Sequence, residues 1–329
     1  MVGTVGLHKV KKRKGARVNI SEKARKLIND QQKEWGLAGK NYAGLVRVKT
    51  RKLAFDGFDM VVQFNPERII SSAAKVDAKS IEARPCFLCQ KNLPKEQRGI
   101  PVLDKYLILV NPFPIFPEHL TIPHFNHTEQ LIGGKFEDML EVSKLLGDFT
   151  VFYNGPKCGA SAPDHFHFQA GIKRFMPIEM DYKKGLFFHD SKVRDGVEII
   201  RWSDYLRTIL TFSGRDKQPL VHEFGNVYRA LKELQPEETE PMLNILCSHY
   251  NNRWHVHVFP RKLHRPWQYF EEGNKQILLS PASVDMGGVL ITPRVEDFNK
   301  LTMADAQDIF EQVCMDEAAF VHVIDKVYS

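Results

Sequence analysis

Residues 151 to 171 read VFYNGPKCGASAPDHFHFQAG, and the rest of the chain is organised around them. Val151-Phe152-Tyr153 is an apolar strand. Asn154, Gly155, Pro156, Gly159 and Pro163 build a turn, and His165-Phe166-His167-Phe168-Gln169 is a second strand. Strand side chains alternate between faces. His165, His167 and Gln169 therefore share one face, and Phe166, Phe168 and Ala170 the other. The phenylalanines can enter a core, which leaves two imidazoles and an amide beneath a loop containing glycine and serine. Phosphoryl transfer needs this set: a nucleophilic nitrogen, neutral hydrogen-bond donors and backbone N–H groups free to meet phosphate oxygens. The plain alternative is a hairpin with two incidental histidines. The H-x-H-x-Q spacing after Gly155 and Gly159 argues against it.

Composition sets the outer bounds. The chain has 329 residues, 43% hydrophobic and 26% charged, which suits two domains or one large pseudo-repeated one with a sizeable core. No apolar run reaches the ~20 residues of a membrane span. Residues 1–20 read as a basic flexible tail without the apolar stretch of a signal peptide. The five cysteines, Cys86, Cys89, Cys158, Cys247 and Cys314, form one close pair and no disulfide framework, so a reducing, cytoplasmic setting is expected. The net charge of +6 suits an enzyme for anionic nucleotides. A solvated tail is the simpler reading of the basic run, so nucleic acid is not the expected partner.

Moving outward, Ser21 is placed to cap a helix over 22–35, followed by strands at 45–48 and 60–64. A loop with a short helix spans 65–83. Strands follow at 106–111 and 119–122, then a helix capped by Thr128. Next comes a helix over 135–148 with Phe136, Met139, Leu140, Leu145 and Leu146 on one stripe. The second half echoes this order, with strands near 196–201, 243–248, 254–259 and 289–292. A helix then starts at Thr302, with Asp305 completing a loose capping box. His255-Val256-His257-Val258 repeats the H-x-H alternation. The expected fold is α+β: two related halves, 21–180 and 181–329, each an antiparallel sheet backed by helices. The first carries the chemistry and the second is degenerate.

Cys86-x-x-Cys89 has the spacing of zinc ligands, and thiolates favour zinc in a reducing compartment. His119 and His165 can complete a structural Cys₂His₂ set, which frees His167 for chemistry. Two unpaired cysteines in a turn are the alternative. A neutral His167 can attack an α-phosphorus and form an N–P bond. Gln169 donates to phosphate oxygens, Ser161 and the loop N–H groups hold the phosphoryl, and Lys157 offsets charge on the leaving group. Cys158 reads as a small packing residue.

From Asn154 to Gln169 the segment resembles the active segment of diadenosine tetraphosphate phosphorylases (ATP adenylyltransferases), in the GalT-like branch of the histidine-triad (HIT) superfamily. Its H-F-Q ending is similar to plant GDP-L-galactose phosphorylases. H-x-H-x-Q is the signature of the branch. Asn154 lies eleven residues before His165, as does the matching Asn of galactose-1-phosphate uridylyltransferases. Pro117-Glu118-His119 resembles their P-D-H segment, whose His binds zinc, and Cys86, Cys89 and His165 match the other zinc ligands. The likeness is strong over 84–180 and looser to 315. It implies two HIT-like halves and transfer of an NMP group from an NDP-sugar or dinucleoside polyphosphate. Phosphate or a sugar phosphate would accept it, through a nucleotidyl-His167 intermediate. Catalytic roles then fall to His167, Gln169 and His165, and substrate contacts to Asn154, Lys157, Gly159 and Ser161. Two positions depart from the uridylyltransferase pattern: Phe168 replaces a glycine, and Ala162 stands at the serine position. His255 and His257, with His249 and Glu179, resemble a second metal strand. Branch members are often homodimers. A HIT-type nucleotide hydrolase and a zinc-stabilised nucleic-acid-binding module are the alternatives. The base, the sugar and the acceptor are open.

Overall fold

The computed structural model describes residues 19–69 and 78–329, so most of the basic tail and part of the loop after residue 65 lie outside the described residues. Helices α1 (Ile20–Glu34) and α2 (Gly36–Gly44) lead into the hairpin β1 (Lys49–Ala54) and β2 (Asp59–Phe64), then the short α3 (Ala78–Glu82). Next come β3 (Gly99–Val102), β4 (Tyr106–Val110), β5 (His119–Pro123), α4 (Phe136–Leu145), β6 (Phe149–Asn154) and β7 (His167–Ile172). After α5 (Ile178–Lys184) the series recurs as β8 (Phe188–Arg194), β9 (Val197–Trp202), β10 (Leu210–Gly214), α6 (Lys217–Leu234), β11 (Leu243–Tyr250) and β12 (Arg253–Pro260). The chain ends with α7 (Ser283–Met286), β13 (Val289–Thr292), α8 (Val295–Lys300), α9 (Met303–Val313) and α10 (Glu317–Tyr328).

Strand order β3-β4-β5-β7-β6-β11-β12-β10-β9-β8 makes one antiparallel sheet of ten strands. Each half has the same order, with its fourth strand at the inner edge, and the halves meet through β6 and β11. The two related antiparallel halves are therefore present, fused edge to edge. Partner residues line up at one level across the junction: Thr121, Gln169, Phe152, Leu246, His257 and Thr211. A pseudo-twofold between Phe152 and Leu246 thus relates Gln169 to His257 and His167 to His255.

The period of two decides what each face packs. Phe166, Phe168, Ala170, Val151, Tyr153, Ile245, Cys247, Val256 and Val258 are buried with residues of α4, α6 and α10. Phe152, Leu246 and Phe259 turn the other way, toward Met60, Val62 and Leu290 of a small sheet β1-β2-β13. Burying each such phenylalanine is worth about 1.5–3 kcal/mol, so the alternation fixes the register.

Three local expectations change. The cap of α1 is Asn19, whose Oδ1 accepts from the N–H groups of Ser21 (3.0 Å) and Glu22 (3.4 Å), so the helix starts earlier. Leu45–Arg47 is a 3₁₀ turn continuing from α2, and the strand begins only at Lys49. Thr128 caps no helix; its carbonyl accepts the Phe166 N–H instead, tying the segment to the start of β7. The Thr302–Asp305 capping box is present. Among the described residues, no helix is long and apolar enough to cross a membrane.

Candidate active site

His167 opens β7 and is 3% exposed. Its Nδ1 lies 2.9 Å from the carbonyl oxygen of His165. A carbonyl can only accept, so Nδ1 carries the proton and Nε2 carries the lone pair. Burial pushes the imidazole down to about 4, which keeps it neutral at physiological pH. Gln130 clamps the strand from behind: its Oε1 accepts the His167 N–H at 2.8 Å, and its Nε2 donates to the carbonyls of His167 and Asn154, each at 3.0 Å.

Gln169 is oriented by its oxygen. The Ile115 N–H donates to His119 Nδ1 at 3.1 Å, so His119 Nε2 carries the proton and donates to Gln169 Oε1, also at 3.1 Å. Asn111 Nδ2 approaches the same oxygen at 3.4 Å. With Oε1 taken by donors, the Gln169 NH₂ is left for a ligand. Asn154 is held in the same way: its Oδ1 accepts from Asn244 Nδ2 (3.0 Å) and from the Ser283 N–H (2.8 Å). Behind it, fully buried Arg261 donates to Asn244 Oδ1 and to the carbonyls of Pro281, Val313, Leu263 and His264. Burial also pushes the Cys158 thiol up to about 12, in keeping with a packing role.

These side chains floor a cavity of about 580 Å³, a size that suits a nucleotide-scale ligand. The floor crosses four neighbouring strands: Leu109 on β4, Thr121 on β5, His167 and Gln169 on β7, then Phe152 and Asn154 on β6. Part of the wall is apolar, with Trp35, Leu37, Phe87, Leu88, Leu93 and Phe113. Toward β6 it is formed by Gly159, Ala160, Ser161, His264, Arg265 and Ser280. Gly159 has φ +92°, and a Cβ there would stand 2.5 Å from Ala282 Cβ, so the close approach of the two loops requires glycine.

Asn154, Gly159, Ser161, His167 and Gln169 are thus brought together as the sequence suggested. Lys157 is not. It does not line the cavity, and its ammonium pairs with Glu238 at 2.7 Å, because the turn points it toward the second half. Pattern reading missed Arg68, Arg84, Arg265, Asn111 and Asp285, which also line the cavity. They lie outside the H-x-H-x-Q segment and reach it only through the fold.

The cysteine loop meets two histidines, one of them unforeseen. Cys86 Sγ stands 3.3 Å from His165 Nδ1, and Cys89 Sγ stands 3.6 Å from the same atom and 3.3 Å from His127 Nδ1. The four donor atoms all lie within 4.8 Å of one another. Zinc bonds of ~2.0–2.3 Å imply donor separations of roughly 3.3–3.8 Å in a tetrahedron, so the set fits a Cys₂His₂ ion. His165 Nε2 lies 2.8 Å from the His124 carbonyl, which fixes its proton there and leaves Nδ1 as the ligand atom. The fourth member is His127, not His119. The His119 ring is already engaged with the Gln169 amide, and His119 lies with Thr121 on β5, outside the thiol cluster.

The second-half histidines do not form a metal group; among the described residues the only such cluster is the Cys86 set. His255 Nδ1 is 3.1 Å from both Ser213 Oγ and Tyr182 Oη, and His257 Nδ1 is 2.8 Å from Thr211 Oγ1. Tyr182 and Trp202 pack against the His257 ring. Glu179 accepts from Thr150 and the Met176 N–H, and His249 packs on Trp254. The pseudo-equivalent of the active strand is therefore plugged by aromatic side chains.

Residues 27–172 match the family model of a domain of unknown function (DUF4922), and residues 178–329 match that of the GDPGP1-like, C-terminal domain. Among solved structures, yeast Ap4A phosphorylase Apa2 aligns over 90% of this chain and 94% of its own, at 17% identity and a TM-score of 0.58. Its complex with Ap4A aligns over 89% and 97%, at 17% identity and a TM-score of 0.61. Its complex with AMP aligns over 88% and 95%, at 18% identity and a TM-score of 0.58. No curated protein matches the chain. The likeness to Apa2 is one of fold. Together with the GDPGP1-like match it accords with the GalT-like branch to which the H-x-H-x-Q segment is similar.

Proposed function

We propose that this chain, which shares the fold of an Ap4A phosphorylase, is a nucleotidyltransferase of the phosphorylase type. The observation that carries the reading is His167: a buried, neutral imidazole with Nδ1 bound to a carbonyl and Nε2 left as the nucleophile. It sits in the cavity beside two amides whose oxygens are already occupied.

In the first step His167 Nε2 attacks the α-phosphorus of an NDP-sugar or dinucleoside polyphosphate. The N–P bond forms, the P–O bond of the anhydride breaks, and the electron pair leaves with the phosphate-terminated group. The proton stays on Nδ1, which donates to the His165 carbonyl, and this hydrogen bond steadies the imidazolium that forms. In the second step an oxygen of inorganic phosphate or a sugar phosphate attacks the same phosphorus and the N–P bond breaks. The NH₂ groups of Gln169 and Asn154 donate to the non-bridging oxygens. Being neutral, they do not quench the nucleophile by protonating it. The leaving group is a phosphate and needs no strong general acid. The apolar part of the cavity lining suits a nucleobase. Cys86, Cys89, His127 and His165 would hold a zinc ion whose role is structural: it ties the cysteine loop to the residue whose carbonyl orients His167.

The test is a screen of NDP-sugars and dinucleoside polyphosphates with and without inorganic phosphate. Turnover should depend on the acceptor. The His167→Asn variant should lose about 10⁴-fold or more in kcat while keeping its melting temperature within a few degrees. An α-³²P-labelled substrate should leave an acid-labile adduct on the wild-type chain. Turnover at full rate without any acceptor would favour hydrolysis, and an active His167→Asn would sink the reading.

A further inference from the structure

The cavity wall carries cationic side chains that the His167 chemistry leaves unused. Among the described residues, three guanidiniums line it, Arg68, Arg84 and Arg265, against one carboxylate, Asp285. Arg265 is engaged by Ser280 Oγ and stacks on Tyr269. Arg68 Nε and Arg84 Nη1 differ: both are buried and neither has an acceptor among the described residues. Two other arginines among the described residues have such a nitrogen, Arg201 and Arg207, and neither lines the cavity. A buried N–H without an acceptor costs about 1–3 kcal/mol, and more on a charged group. Both guanidiniums belong to the cavity lining, where an oxyanion would offer them a charge-assisted partner.

Arg84 is also tied to the cysteine loop, two residues before Cys86. Its guanidinium lies over the Phe87 ring at 4.8 Å, and its Nη2 donates to Asp164 Oδ1 at 3.3 Å. The other Asp164 oxygen lies 3.9 Å from Nε2 of His127, whose Nδ1 faces the thiols. Asp164 precedes His165. One carboxylate thus stands between a ring of the Cys₂His₂ set and a guanidinium in the cavity wall.

We propose that Arg84, with Arg68, forms a subsite for the phosphate chain beyond the attacked phosphorus, and that the Cys₂His₂ set positions Arg84 through Asp164. The subsite rests on the nucleotidyl-transfer reading for its role but not for its anion chemistry. Its ligand class is a di- or triphosphate moiety. Asp164 and His127 are positioning residues here, since neither lines the cavity.

The probe is inorganic pyrophosphate, titrated calorimetrically into the full-length, zinc-loaded protein, with metal content measured before and after. Arg84→Gln should weaken binding about tenfold or more, and Arg68→Gln similarly, as expected for loss of a charge-assisted contact. Asp164→Asn and His127→Ala should each weaken it several-fold. Combined with Arg84→Gln they should add nothing further, because they act through it. Lys157→Gln should bind as wild type. His127→Ala is expected to lose the metal, so its metal content and melting are read beside its affinity, and Asp164→Asn, which keeps all four ligands, carries the coupling test if it does not fold. Wild-type protein that does not bind pyrophosphate, Arg84→Gln within twofold of wild type, or additive double variants would each overturn the proposal. His167→Asn should retain pyrophosphate affinity. If His167→Asn also retained turnover, the catalytic reading would fail while the anion subsite stood.

Discussion

His119 acts on Gln169 through a chain of forced choices. The Ile115 N–H occupies Nδ1, so only Nε2–H can meet Gln169, so only Oε1 of Gln169 can receive it, so the NH₂ faces the cavity. Burial pushes His119 down to about 3, so the imidazole stays neutral and its hydrogen-bond polarity does not invert across physiological pH. His119→Leu keeps much of the volume but leaves the Gln169 amide free to turn and the Ile115 N–H without its acceptor. The expected outcome is a kcat lower by about 10–100-fold with KM within about threefold, and a stability loss of about 1–3 kcal/mol. His119→Gln can accept and donate in the same line and should recover part of kcat. Steady-state kinetics on both variants check this. A change confined to KM would show that His119 shapes the binding surface and does not aim the amide.

The cysteine loop is held mainly by turns: Cys86–Asn92 contributes one 3₁₀ turn and no strand. A metal is the element's natural fastening, since a bound ion adds its binding energy to the folded state alone. Purified protein is expected to hold about one zinc per chain. His127→Ala should lose it, and His119→Leu should keep it. Metal analysis of the two variants decides between the two ligand sets, and zinc loss from His119→Leu alone would restore the sequence assignment. The two ligand sets differ for a physical reason. His119 was matched by its place after Pro117-Glu118, but strand pairing sets Thr121 beside Gln169 and turns His119 into the same polar row. His127 lies in an irregular segment after β5 with no periodicity to announce it. By contrast, the H-x-H-x-Q strand, its Phe166/Phe168 core face and the loop glycine at 159 were legible, because alternation and left-handed backbone are local properties. Arg68 and Arg84 were not, because nothing in their neighbours places them in the wall of a cavity floored by residues about 25 to 100 positions away. Lys157 shows the converse: the right loop, but a side chain directed to Glu238.

Across the whole molecule, the pseudo-twofold sheet buries imidazoles in both halves, and this sets how stability responds to acid. His119, His167, His255 and His257 are all at most 7% exposed. Burial lowers them to about 3, 4, 4 and 3, from an ordinary value of 6.5. A histidine whose folded pKa lies below its unfolded value takes up a proton on unfolding, so its penalty sets in as pH falls below 6.5 and grows until the folded pKa is reached. Two buried acids oppose them. Burial raises Glu240 to about 7 and Asp285 to about 6, so each releases a proton on unfolding, with a penalty that grows as pH rises and saturates above those values. Near pH 5.5 these four histidines take up four protons on unfolding against two released by the two acids. At about 1.4 kcal/mol per proton per pH unit, stability should climb by up to ~3 kcal/mol per unit between pH 5 and 6.5, and flatten above 7. Urea unfolding at half-unit steps measures the slope. His257 isolates one contribution, because it lies in the plugged second half and outside the cavity. His257→Leu should lower the slope by about one proton while leaving nucleotide turnover unchanged. An unaltered slope, or maximal stability at pH 5, would mean that the buried imidazoles do not govern the acid limb. A flattened slope with lost turnover would instead mean that the second half still communicates with His167 through β11 and β6.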